Sequence, residues 1–136
     1  MRALMAALAL ALALAGCTMS ADTKVAEDAV PKFHEMLDAG QFDAIYDGAS
    51  DEFKRAATKQ DFVALLAAVH RKLGASRSSS EKGWNVNYHT SGSFVTLNYA
   101  TTYAQGEAHE QFVYRLESGQ ALLVGYNINS NALILN

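Results

Sequence analysis

WNVNYHTSGSFVTLNYATTY, residues 84–103, decides the fold class. Trp84, Val86 and Tyr88 alternate with Asn85, Asn87 and His89. The chain turns at Thr90-Ser91-Gly92-Ser93, and Val95, Leu97, Tyr99, Thr101 and Tyr103 then alternate with Thr96, Asn98 and Thr102. A period of two sends successive side chains to opposite faces, so each half reads as a strand with one apolar face. The short polar turn between the halves makes an antiparallel hairpin.

Toward the C-terminus the same period continues. After Gln105-Gly106, Phe112, Tyr114 and Leu116 alternate with Gln111, Val113 and Arg115; after Ser118-Gly119, Leu122, Val124, Tyr126 and Ile128 mark a last strand. Four strands joined by short turns form an antiparallel meander, whose apolar face needs a cover.

Toward the N-terminus the period becomes helical and supplies that cover. Phe62, Leu65, Leu66, Val69 and Leu73 make one stripe, behind a capping-box pair of Thr58 and Asp61. His70, Arg71 and Lys72 occupy the last turn, where cations meet the negative end of the helix, and Gly74 stops it. Before it, Ser50 caps a turn through Phe53, and Phe42, Ile45, Tyr46 and Ala49 mark a short helix. A first helix carries Ala26, Ala29, Val30, Phe33, Met36 and Leu37 on one face and ends at Gly40; Pro31 either kinks it or sits in the first turn of a helix starting near Asp28. The run from Ser76 to Ser80 reads as a loop. The expectation is an α+β domain, helices packed on a four-stranded antiparallel sheet.

The leader is a separate matter. Residues 3–14, ALMAALALALAL, follow the single basic Arg2 and are too few to span a bilayer, which takes about 20 apolar residues. Leu14-Ala15-Gly16-Cys17 resembles the lipobox of bacterial lipoprotein signals, and Cys17 is the one cysteine of the chain. That resemblance implies cleavage after Gly16, a diacylglycerol on the Cys17 sulfur and an acylated new amino group. Several acyl chains hold a protein firmly on a membrane where one does not. The expected organisation is a signal peptide over 1–16, a lipidated tether over 17–22 and one domain over 23–136. In the lipoprotein family an Asp after the cysteine retains the product at the inner membrane; Thr18 stands there, which favours the outer membrane, with the domain facing the periplasm.

Of 136 residues, 120 would remain, with ten Lys and Arg against 14 Asp and Glu once Arg2 is removed. A mildly acidic domain lacks the dense basic patch that nucleic acid rewards. LDAGQFDAIYDGAS (37–50), FVALLAAVHRKLGA (62–75) and LLVGYNINSNALI (122–134) resemble small domains of unknown function in the nuclear-transport-factor-like, or cystatin-like, superfamily. The resemblance covers most of residues 24–134. It implies a cone in which the bent sheet and helices enclose a pocket; some members catalyse there, as ketosteroid isomerases and polyketide cyclases do, and others bind ligands or dimerise through the outer sheet face.

Trp84, Tyr88, Tyr99, Tyr114 and Tyr126 fall in phase with the inner face and are the candidate lining for an amphipathic ligand, with plain core packing as the competing reading. An isomerase-like site needs an inward carboxylate, and the inward strand positions read as free of Asp and Glu. The expectation is therefore a non-enzymatic binding or interaction module without a cofactor, and the alternative is a small pocket enzyme. Glu107, His109 and Glu110, or His34 with Asp38, supply no complete metal-ligand set. The outer face would carry Asn85, Asn87, Thr96, Asn98, Thr102 and Arg115, broken by Val113 and Leu123, and is a candidate dimer or partner contact.

Overall fold

The computed structural model describes residues 21–135; Cys17 and the leader lie outside them. Helix α1 is described over 21–38, followed by α2 (Phe42–Asp47), α3 (Asp51–Ala56) and α4 (Lys59–Leu73). Strands β1 (Ser76–His89), β2 (Gly92–Tyr103), β3 (Gly106–Glu117) and β4 (Gln120–Asn129) come next, and α5 (Asn131–Leu135) closes the described chain. The sheet is antiparallel in the order β1-β2-β3-β4, open at both edges, so the α+β meander is as the alternation implies. Among the described residues no helix is long and apolar enough to cross a membrane.

Local chemistry explains the helix ends. Pro31 lies inside α1 rather than in its first turn. At the other end Gly40 adopts φ 72°; its N–H donates to Leu37 O and that of Gln41 to Met36 O, a Schellman closure that favours glycine. Ser50 Oγ accepts from Phe53 N at 3.1 Å and Thr58 Oγ1 from Asp61 N at 3.2 Å, so each caps the helix that follows it.

One face of the sheet meets the helices. Phe112 and Tyr126 pack against Phe33 of α1, with ring centroids 5.0 and 4.7 Å away. Val95, Leu97, Tyr114 and Leu123 join Leu66, Val69 and Leu73 of α4 in the buried cluster. Phe53 and Phe62 meet edge-on at 4.7 Å.

Two local expectations are corrected. Ser76–Ser80 is strand rather than loop: Ser78, Ser79 and Ser80 pair with Thr102, Thr101 and Ala100. Polar residues suffice there because β1 is an edge strand exposed along most of its length. In β4 the pairing jumps from Val113↔Gly125 to Tyr114↔Leu123, leaving Val124 as an extra, bulged residue. A bulge reverses the phase of what precedes it. Leu123, not Leu122 or Val124, therefore points inward and is buried.

Candidate functional site

The centre of the inner face is polar. Glu110 sits two residues before Phe112 on the same side of β3, 2% exposed, with no cation from its own strand beside it. A carboxylate there is costly unless hydrogen bonds replace its water. They do. His34 Nε2 of α1 donates to Oε1 at 2.8 Å, while the hydroxyls of Tyr103 and Tyr126 donate to Oε2 at 2.8 and 2.5 Å. Burial alone would raise the Glu110 pKa; the hydrogen bond and charge of His34, then the Thr101 and Tyr126 hydroxyls, outweigh it and hold the carboxyl below its usual range. The phenols move the opposite way, pushed up first by burial and then by the Glu110 charge. Glu110 is thus held as an anion and both tyrosines as donors.

This geometry assigns the imidazole tautomer. An ionised Glu110 only accepts, so the proton of its contact sits on His34 Nε2. His34 Nδ1 faces the other way, toward Ser79 Oγ of β1 at 3.5 Å, and Ser79 Oγ also lies 3.0 Å from Thr101 Oγ1. Hydroxyl, imidazole and carboxylate thus run in series from strand edge to core.

The outer end of that series opens into a groove of about 740 Å³ between α1 and β1. Val30, Pro31 and Tyr99 furnish apolar wall, His34 and Ser79 the polar floor, and Glu27, Glu35, Asp38 and Arg77 charge. Asp38 fixes one end: its carboxylate accepts from Ser76 N at 3.0 Å and Ser76 Oγ at 2.7 Å, tying the end of α1 to the start of β1. At the other end the Glu27 pKa is raised by burial and by a hydrogen bond shared with Glu81, and that of Tyr99 is pushed up to about 12, by burial first and the Glu81 charge second.

The five aromatic candidates do not form one lining. Tyr114 and Tyr126 are core residues, Tyr99 alone borders the groove, and Trp84 and Tyr88 stand 51% and 54% exposed. The phase was as expected, since Trp84 pairs with Leu97 and Val86 with Val95 on the inner side. Among the described residues no helix covers that end of β1.

Glu110 also overturns the reading of the inward positions as free of carboxylates. The alternation of Phe112 and Tyr114 extends back through Glu110 to Ala108, and that signal was available to the turn of the hairpin. His34 is the second residue that the reading missed as a partner; nothing local links it to a strand 76 residues away. The Glu107, His109 and Glu110 trio splits, Glu107 and His109 facing out and Glu110 in. His34 and Asp38 serve different partners. Among the described residues no group of three or more His, Cys, Asp or Glu is placed to hold a metal ion. The outer face shows Asn98, Gln111 and Asn127 in one cross-strand row, Gln111 Nε2 donating to Asn98 Oδ1 at 3.1 Å; Leu123 is absent from it because of the bulge.

No curated protein matches the chain. The family described as "Protein of unknown function (DUF4019)" matches residues 29–126, from the middle of α1 to Tyr126, and the chain belongs to that family.

Proposed function

We propose that this DUF4019 member is a lipid-anchored envelope protein, fixed through Cys17 and facing the periplasm from the outer membrane. Its domain holds a small amphipathic ligand in the groove between α1 and β1. The anchoring rests on the resemblance of Leu14-Ala15-Gly16-Cys17 to a lipobox and on Thr18 after it. Helices on one face of a four-stranded antiparallel sheet support a nuclear-transport-factor-like reading of the fold.

The observation that carries the binding reading is the groove itself. At about 740 Å³ it has the size of a small-molecule site, roughly 300–1,000 Å³. It also has the usual make-up: apolar wall from Val30, Pro31 and Tyr99, and a polar group, His34, whose orientation is fixed from beneath by Glu110. Holding His34 in advance reduces the ordering cost of binding.

Two experiments test the two halves. Cys17→Ala should release the protein from the membrane fraction; unchanged membrane association would end the anchoring half. Native mass spectrometry of protein extracted from its own envelope should show a bound small molecule that is lost when Glu35→Trp, on the α1 wall, fills the groove. Bare monomer in both would end the binding half.

A further inference from the structure

The series beneath the groove ends on a hydroxyl that solvent reaches, since Ser79 is exposed while Glu110 is buried. A serine hydroxyl is a weak nucleophile until a base takes its proton, and a base works best when a third group fixes its tautomer. His34 meets both conditions: Nδ1 faces Ser79 Oγ at 3.5 Å, and Nε2 is committed to Glu110 at 2.8 Å. Glu110 is itself fixed by Tyr103 and Tyr126. Arg77, two residues before Ser79 on β1, borders the same groove and brings a guanidinium to it. Such a cation suits an oxygen that becomes negative during reaction.

Resting on the groove as a ligand seat, we propose that Ser79, His34 and Glu110 form an acyl-transfer centre acting on an ester of a small amphipathic molecule. The ester's hydrocarbon part lies against Val30, Pro31 and Tyr99, and its carbonyl oxygen points toward Arg77. In the structure the Ser79 hydroxyl is shared between Thr101 Oγ1 at 3.0 Å and His34 Nδ1 at 3.5 Å, and turning its hydrogen about the Cβ–Oγ bond directs it to His34. Contacts between nucleophile and base are commonly this loose before substrate binds.

The steps balance with water as the one co-reactant. Ser79 Oγ bonds to the ester carbonyl carbon as its proton passes to His34 Nδ1. The bond from that carbon to the leaving oxygen then breaks, and His34 gives the proton to the departing alcohol. Water attacks the acyl-serine and loses a proton to His34; the Oγ–carbon bond then breaks as His34 returns that proton to Ser79 Oγ, releasing the acid. Ser79 and His34 are the catalytic residues; Glu110 is a positioning residue that stabilises the transient imidazolium.

The test uses the full chain with p-nitrophenyl acetate and a fluorophosphonate probe, read by release of nitrophenol, intact mass and peptide mapping. One probe adduct is expected on Ser79, absent from Ser79→Ala, with labelling slowed at least tenfold in Arg77→Met. In Glu110→Gln both the rate and the pH profile of labelling should change, a shift that a merely structural role would not give. Ser79 and Arg77 are surface residues, so both variants keep the fold, and circular dichroism checks it. Folded wild type that takes no label, or Ser79→Ala that labels as wild type does, overturns the proposal. If protein from the envelope carries a ligand but never labels, the groove reading stands and acyl transfer falls.

Discussion

The inner face of the sheet has two ends that share one alternation and differ in everything else. Around β3 and β4, Phe112, Tyr114 and Tyr126 lie under α1 and are almost wholly buried. Along the far half of β1, Trp84 and Tyr88 continue that face and remain about half exposed. Side-chain phase is a property of the strand, whereas burial is a property of what lies across from it. Among the described residues the helices cover one end of this face and not the other, and the polar series lies at the margin of that cover.

The sharpest way to break this comparison is to truncate one aromatic at each end. Phe112→Ala removes a ring with no exposed surface and should cost about 4 kcal/mol in urea unfolding. A loss under about 1 kcal/mol would mean that the helix cover is looser than described.

Next in size is Glu110→Gln, which should cost about 3 kcal/mol at neutral pH by breaking a buried charged contact with His34. Its sign with pH is fixed. Because the folded carboxyl titrates lower than the unfolded one, near pH 4.3, the unfolded chain takes the proton first on acidification. The stabilisation is full above about pH 4.3 and is lost as pH falls through the folded value. Urea midpoints measured from pH 7 down to pH 3 should therefore lose this component in wild type and lack it in Glu110→Gln.

Smaller again is Ser50→Ala, which removes the cap of α3 at about 1 kcal/mol by thermal melting. Smallest is Trp84→Ala, which should stay within about 0.5 kcal/mol of wild type despite the size of the ring. A loss comparable to that of Phe112→Ala would show β1 to be covered in solution.

How much of this the sequence carried follows from range. The meander, the helix stripes and the caps at Ser50 and Thr58 were legible because each is written within a few residues. Ser76–Ser80 was not, since an exposed edge strand needs no apolar alternation and is held by its partner strand. The phase of β4 failed at Val124 because a bulge inserts one residue without a local mark. Of the site, Tyr99 follows from the phase of β2, whereas the inward side of Glu110 is obscured by the nearby hairpin turn. The pairing of Glu110 with His34 joins two elements that only the packed fold brings together.

The central claim is that Glu110 fixes His34 with a proton on Nε2 and turns its Nδ1 to the groove. The most direct measurement is a long-range ¹H–¹⁵N correlation spectrum of the histidine rings at pH 8, assigned through His34→Gln. The account predicts a protonated Nε2 and an unprotonated Nδ1 for His34, converting to the ordinary tautomer mixture in Glu110→Gln. A proton on Nδ1, or a wild-type spectrum that the Glu110 substitution leaves unchanged, would contradict it.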